Sequence, residues 1–338
     1  MSFSFKIYSL VAAGLIGSVG SINWLIDPLW YSHGNQITDK NFTFNERISK
    51  TNLLLRTKDE RDYNCLILGS SRVIALKASM FKDKRCFNYS FKGGWVDDFI
   101  AYAKFAKEQG IDPDIVYVGV DSFNFVKETK FNEHGVEASA SATNSMFEAY
   151  FSLDVLTFSA MTLAEVSPDP TNYYNQNFEI EEFENPPKYN PEFYPPLSPQ
   201  ECDLSRIEPF QKIRDIFPNA KFVGYVPPRS AWAVVMESYD RELMDCELEG
   251  IYKVSQIYDE MYDFSIPSPL TKDPNNTYDG SHFTPEVNDQ VAEVMQGKGD
   301  DSFGIQVNQY SLSEYKTIYK GQIKKFLDEQ NQLQRWKE

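Results

Sequence analysis

The sequence predicts an α/β fold: a central parallel sheet covered by helices, set behind one membrane-spanning helix. Three observations predict it. Short apolar runs, continuous instead of alternating, recur between stretches of helical spacing, as strands buried on both faces do. Three of these runs end in Gly, Ser, Asp or Pro, as strands do at the ligand-binding edge of an open sheet. Near the N-terminus an uncharged apolar run extends from Ile7 to Ile26, about the 20 residues that a spanning helix needs.

That first run is flanked by Lys6 and Asp27, which favours an N-inside orientation. Trp24 and Trp30 are expected near the far interface. Ser18-Val19-Gly20 also reads as a small-x-small cleavage site, so a cleaved signal peptide is the alternative. Apolar character continues past it through Ile22, Trp24, Leu25 and Ile26, which favours an uncleaved anchor. Either reading puts the rest of the chain outside the cytoplasm. Residues 31–62 are polar with little apolar periodicity and read as a linker.

The first strand is NCLILGSSR, entering a tight turn at Gly69-Ser70-Ser71. The second, RCFNYSFKGGW, ends in the Gly93-Gly94 pair. Helical spacing follows through WVDDFIAYAKFAKEQG, with Asp97 and Asp98 suited to its start and Gly110 to its stop. DIVYVGVDSF is a third strand. AKFVGYVPP is a fourth, preceded by an amphipathic stretch around Ile207 to Phe217. YDFSIPSP is a shorter fifth, preceded by helical sequence from about Asp240 to Tyr258. An insertion at about 134–204 separates the third and fourth strands. Its first half reads as a helical lid, and its Pro-, Asn- and Tyr-rich second half as an ordered, irregular cover. The tail from Ser311 is helical, with Tyr315, Ile318, Tyr319, Ile323 and Phe326 on one face for packing on the domain.

At 338 residues the chain can bury one large α/β core. Its net charge of −16 opposes binding to nucleic acid or to an anionic membrane surface. Aromatic residues are abundant, with 25 Phe and 20 Tyr, and can line pockets for sugars or acyl chains as well as fill a core. Of the four cysteines, Cys65 and Cys86 each begin a strand and can bond if those strands are parallel neighbours. Cys202 and Cys246 flank a helix and a strand. Buried free thiols fit the sequence equally well. No Cys/His spacing indicates a metal, and no cofactor is expected.

Of three histidines, His33 falls in the linker and His134 in the insertion. His282, in TYDGSHFTPE, follows the fifth strand. Asp279 precedes it by three residues, so one loop can present an imidazole and the carboxylate that orients it. Ser71 sits where the first strand should turn into a helix, exposed at the sheet edge, with backbone N–H donors for a developing oxyanion. The plainer role there is an N-cap, which Ser70 can fill. Gly93 can supply a second N–H donor or simply make the turn. Arg72 and Arg229 can bind an anionic sugar or donor, or pair with the chain's carboxylates. Asp121 is a further polar group at the edge, structural or substrate-binding.

These motifs resemble the SGNH (GDSL-like) hydrolase superfamily. Gly69-Ser70-Ser71 matches its Gly-Asp-Ser motif with Ser in place of Asp. Gly93 in NYSFKGG matches the second-motif glycine, and Asp279 to His282 matches the last, Asp-x-x-His. The third motif, Gly-x-Asn-Asp, is altered to GVDSFN. Gly119 fits, Asp121 stands at or near the asparagine place, and Asn124 lies three residues on. A third oxyanion donor is therefore Asn124, or Ser122, or missing. The match covers roughly 65–130 and 218–295. The anchor, the INWLIDP exit segment and GSSR look like the cell-envelope branch of the family. That branch includes the lipoteichoic-acid D-alanylation protein and the acetyltransferases of alginate and other surface polysaccharides.

The expected fold is thus a flavodoxin-like three-layer sandwich with a parallel sheet of about five strands and an N-terminal transmembrane helix. The expected domains are an anchor at 1–30, a linker at 31–62, an SGNH-like domain at 63–300 and a helical tail at 301–338. The resemblance implies acyl transfer or ester hydrolysis on a cell-envelope glycan or acylated substrate by Ser71, His282 and Asp279. It also implies a cytoplasmic-membrane location with the domain on the periplasmic side, often beside a multispanning membrane acyltransferase. The competing class is a noncatalytic envelope assembly or glycan-binding protein that retains the fold. A metal-dependent hydrolase has too few histidines in suitable places.

Overall fold

The computed structural model describes residues 3–38, 40–127, 146–167, 173–300 and 302–336. In chain order the helices are α1 (Phe3–Ile26), α2 (Glu46–Arg61), α3 (Val96–Glu108), α4 (Met146–Tyr150), α5 (Leu153–Leu163), α6 (Ile207–Ile216), α7 (Ala231–Val234), α8 (Met244–Ser255), α9 (Pro285–Met295) and α10 (Leu312–Glu329). The strands are β1 (Cys65–Leu68), β2 (Cys86–Asn88), β3 (Ile115–Gly119), β4 (Lys221–Val226), β5 (Glu260–Asp263) and β6 (Ile305–Gln306). The described residues within 1–60 and 135–185 form one compact unit, and those within 61–134 and 186–338 form the other.

The larger unit is an α/β domain. Its six strands lie in the order β2-β1-β3-β4-β5-β6. The first five are parallel, and β6 pairs antiparallel with β5. β1 and β3 are buried along their whole length, which is why their sequences read as unbroken apolar runs. One side of the sheet carries a core built from Ile67, Tyr117, Val223, Tyr225 and Phe264 with Val287, Val291 and Met295 of α9. The fifth strand lies earlier than the sequence suggested, ending at Asp263. Phe264 and Ile266, its most apolar neighbours, are buried just beyond it. β6 is an additional strand, two residues long. It comes from the region read as tail, and α10 after it buries Tyr315, Tyr319, Ile323, Phe326 and Leu327, so the tail packs into the domain.

Cys65 stands directly opposite Cys86 on the neighbouring strand, and the two form a disulfide. A second disulfide joins Cys202 to Cys246 of α8. Disulfides persist in oxidising compartments. The second half of the insertion is irregular over 186–200 and is held by specific contacts. Tyr189 donates its hydroxyl to Ser230 Oγ at 3.1 Å, and Arg335 donates to the Tyr194 carbonyl at 2.7 Å.

The smaller unit contains α1, which is long and apolar enough to cross a membrane. It also contains α2, inside the stretch that reads as a linker. The buried residues of α2 include Ser49, Thr51, Asn52 and Thr57 beside Leu53 and Leu54. A helix that buries polar side chains leaves no apolar periodicity to read. After α1 the chain turns at Asp27, which is fully buried. Its carboxylate accepts the backbone N–H groups of Tyr31, Ser32, His33 and Gly34 and the Tyr150 hydroxyl. Trp24 is exposed, but Trp30 is buried against Phe178 and under Arg56, so it is not the interface residue the sequence implied. The helical part of the insertion, α4 and α5, packs on α1 within this unit. His134, with the rest of 128–145, lies outside the described residues.

Candidate functional site

The sheet brings the C-terminal ends of its parallel strands to one edge, where the chemistry-bearing residues gather. β1 ends at Leu68, and the chain turns at once into a short 3₁₀ turn over Ser71–Val73. Gly69 and Gly119 make the turn possible. A Cβ on either would stand 2.3 Å or 2.5 Å from the Val73 side chain, which fills the space above the ends of β1 and β3. Ser70 takes the capping role, accepting the Arg72 N–H at 3.3 Å. Ser71 is left free to present its hydroxyl. The helix expected after Ser71 is therefore a single turn, too short for a helix-terminal dipole. Asn88 of β2 holds this connection by donating to the Val73 and Leu76 carbonyls.

The Asp279–His282 loop lies across from it. His282 Nε2 is 2.8 Å from Ser71 Oγ, and His282 Nδ1 is 2.6 Å from Asp279 Oδ2. The other oxygen, Asp279 Oδ1, accepts the backbone N–H groups of Ser281 and His282, both at 2.8 Å. Burial alone would raise the Asp279 pKa, but hydrogen bonds and charge from His282 outweigh it and hold the carboxyl below its usual range. The Tyr278 ring stacks on the imidazole with centroids 5.4 Å apart. The loop is pinned on both sides: Thr277 Oγ1 donates to the His282 carbonyl, and the Ser230 N–H donates to the Gly280 carbonyl. Phe283, next in sequence, is buried in the core. These ties fix the orientation of the imidazole ring.

Arg72 joins the two halves of the site. Its guanidinium donates to Asp121 Oδ1 and to Ser281 Oγ, each at 3.2 Å. Burial, only partly offset by Asp121, lowers the Arg72 pKa. Asp121 is completely buried and its Oδ2 has no hydrogen-bond partner. Arg229 is also enclosed, donating to Ser122, Ser238 and Glu237 and facing Glu247 at 3.6 Å. Burial weakens its hold on a proton, yet Glu247 and Glu237 outweigh that and raise its pKa. Arg72 and Arg229 thus take the carboxylate-pairing role that the sequence left open, with Asp121 as a structural partner.

Gly93 is exposed just past β2, at φ 64°. Phe91 N–H donates to the Gly69 carbonyl, which carries the β1–β2 pairing up to the Ser71 turn and puts Gly93 two residues beyond it. Asn124 is buried. Its Nδ2 donates to the Asp121 carbonyl at 3.0 Å, and its Oδ1 accepts the Val96 N–H at 3.4 Å, so this amide braces the loop against the start of α3. Ser122 Oγ accepts from Arg229.

Beside the relay, at the ends of β3 and β4, opens a pocket of about 640 Å³. Arg72, Phe123, Arg229, Arg241 and Tyr194 are among its lining residues. Arg241 was not anticipated. No carboxylate pairs with its guanidinium among the described residues, and its Nε is buried without a partner. Ser281 and Tyr278 were also missed, although both sit inside the TYDGSHF segment. Among the described residues no group of His, Cys, Asp and Glu could hold a metal ion.

No protein-family model matches the chain, and no curated protein matches it in sequence.

Proposed function

We propose that the protein is a serine-dependent acyltransferase or esterase of the SGNH type, anchored in the cytoplasmic membrane with its α/β domain outside. The observation that carries this reading is the continuous relay from Ser71 Oγ through both imidazole nitrogens of His282 to Asp279. The strand order supports a flavodoxin-like, doubly wound arrangement. The two disulfides support an extracytoplasmic domain. The uncharged run of α1 after Lys6 is long enough to support a single-pass anchor.

With Nδ1–H donating to Asp279, the Nε2 lone pair faces Ser71. As Ser71 Oγ attacks an ester carbonyl, its proton passes to Nε2 and the carbonyl oxygen becomes an oxyanion. The backbone N–H groups of Ser71 and Gly93 are the donors offered to it, each such donor being worth about 3 kcal/mol. Collapse expels the alcohol, which leaves with the proton from His282, and Ser71 holds the acyl group. An incoming hydroxyl then gives its proton to Nε2 as its oxygen attacks the acyl carbon. Collapse of that adduct returns the proton to Ser71. Water as acceptor gives ester hydrolysis; a sugar hydroxyl gives acyl transfer. The neighbouring pocket, with arginines and aromatic rings, suits a cell-envelope glycan. A multispanning membrane acyltransferase is the partner that would supply the acyl group.

Intact mass after treatment of the full chain with a fluorophosphonate tests this. One adduct is expected on the wild type, none on Ser71→Ala, and a strongly slowed one on His282→Ala. A folded wild type that takes no adduct would turn the reading toward a noncatalytic envelope assembly or glycan-binding protein.

A further inference from the structure

We propose that α4 and α5 lie in the outer leaflet of the membrane beside α1, forming a second, non-spanning attachment to lipid. The inference rests on α1 being a membrane anchor, and arithmetic then fixes the depth. The uncharged run of α1 lies between Lys6 and Asp27, so it can only just fill the roughly 30 Å apolar core and cannot slide far along the bilayer normal. Asn23 is then about 4.5 Å below Ile26, and Gly20 about 9 Å below it. Both positions fall within one leaflet of about 15 Å.

At that depth α1 is in contact with α4 and α5. Asn23 is fully buried. Its amide donates to the Tyr150 and Ser152 carbonyls at 2.8 and 3.0 Å and accepts the Ser159 hydroxyl at 2.9 Å. Gly20 lets the Phe151 ring close on the helix, since a Cβ there would stand 2.5 Å away. A primary amide in hydrocarbon must find partners within the protein. Those it finds are the end of α4 and the start and middle of α5, which places these elements at the same depth.

The outward surface of α4 and α5 is mostly apolar, with Glu148 of α4 and Asp154 of α5 as the exposed charges on these two helices. Phe147 and Leu153 are 67% and 70% exposed, and Phe151, Leu163 and Val166 are also exposed. Along α5 the sequence LDVLTFSAMTL holds one charge, Asp154 in its first turn, in a chain in which 24% of residues are charged. Thr157 and Ala160, exposed on the same helix, are uncharged. A helix of this kind on a water-facing surface would normally carry charges on its outer side. The helix it packs on, α1, likewise exposes apolar residues, including Leu15 and Trp24.

All four cysteines are engaged in disulfides, so a single added cysteine can carry a spin label. The full chain is reconstituted in lipid nanodiscs with one label at a time, at Leu153→Cys, Leu163→Cys and Leu15→Cys. Relaxation by oxygen, which partitions into lipid, is compared with relaxation by a water-soluble nickel chelate. The proposal expects the labels at 153 and 163 to behave like the one at 15, with oxygen collisions at least several-fold favoured over nickel. Nickel-dominated relaxation at 153 and 163 with oxygen-dominated relaxation at 15 overturns it, and leaves the surface to a membrane-protein partner. Nickel-dominated relaxation at all three overturns the anchor reading as well.

Discussion

His282 and Ser71 are 211 residues apart in the chain, yet Nε2 and Oγ stand 2.8 Å apart. The contact depends on two local devices: the 3₁₀ turn that stands Ser71 up from the end of β1, and the doubly pinned loop that holds the imidazole. His282→Ala removes the proposed general base without touching either device. Hydrolysis of an activated acetyl ester is expected to fall by about 10²- to 10⁴-fold. Initial rates on wild type and variant, with Ser71→Ala as the blank, measure it.

Asp279 accepts two backbone N–H groups as well as the imidazole, and its folded-state pKa lies below the usual value. A carboxyl so lowered stabilises the fold above its unfolded value of about 3.9 and loses that contribution as pH falls through the lower folded value. Asp279→Asn should therefore melt below the wild type at pH 7. The gap should narrow as pH falls below about 4. Thermal melts across pH 3–7 test this; a gap constant down to pH 3 would refute the assignment.

The buried Arg72–Asp121 pair holds the Ser71 turn and, through Ser281, the histidine loop. Asp121→Ala leaves a buried guanidinium with less than its full set of partners and should cost about 3 kcal/mol of unfolding free energy. Denaturant titration of the oxidised protein gives the number.

Arg241 lines the pocket without a carboxylate partner, so its removal breaks no ion pair. Arg241→Ala is expected to leave stability within about 0.5 kcal/mol of wild type. It should raise KM for an anionic glycan acceptor and leave kcat for a small neutral ester unchanged. Steady-state kinetics on both substrates separates the two effects.

The Cys65–Cys86 bond closes a loop with a sequence separation of 21 and should contribute about 3 kcal/mol by restricting the unfolded chain. The Cys65→Ala, Cys86→Ala double variant should show that loss in denaturant titration.

How far the sequence could be read follows from where its information lies. β1, β3 and β4 are central and buried, so their runs of Leu, Ile, Val and aromatic residues announce them. β5 is near the edge, and half its positions are only partly buried, so its apolar neighbours Phe264 and Ile266 draw attention past it. β6 has two residues and carries no pattern. α2 hides its helix by burying Ser, Thr and Asn. The Asp-x-x-His loop and the serine after β1 are legible because both are short-range patterns at strand ends. What Arg72, Arg229, Asp121 and Asn124 touch includes residues 28 to 209 positions away, such as Ser281 for Arg72, Ser122 for Arg229 and the Val96 N–H for Asn124. Sequence order alone therefore left open whether they bind substrate or hold the fold. Arg241 carries no local signal at all.

Asn23 has a consequence for how the chain is made. Its hydrogen-bond partners Tyr150, Ser152 and Ser159 lie 127, 129 and 136 residues downstream. At about 5–20 residues per second of synthesis, they emerge roughly 6 to 27 seconds after Asn23 does. If α1 spans the membrane, as proposed, its amide must be accommodated for that whole interval by something other than its final partners: the insertion machinery, a temporary neighbour helix or a shallower position. Asn23→Leu should therefore speed early membrane integration while weakening the finished unit. One residue would then trade an easier birth against a firmer native state.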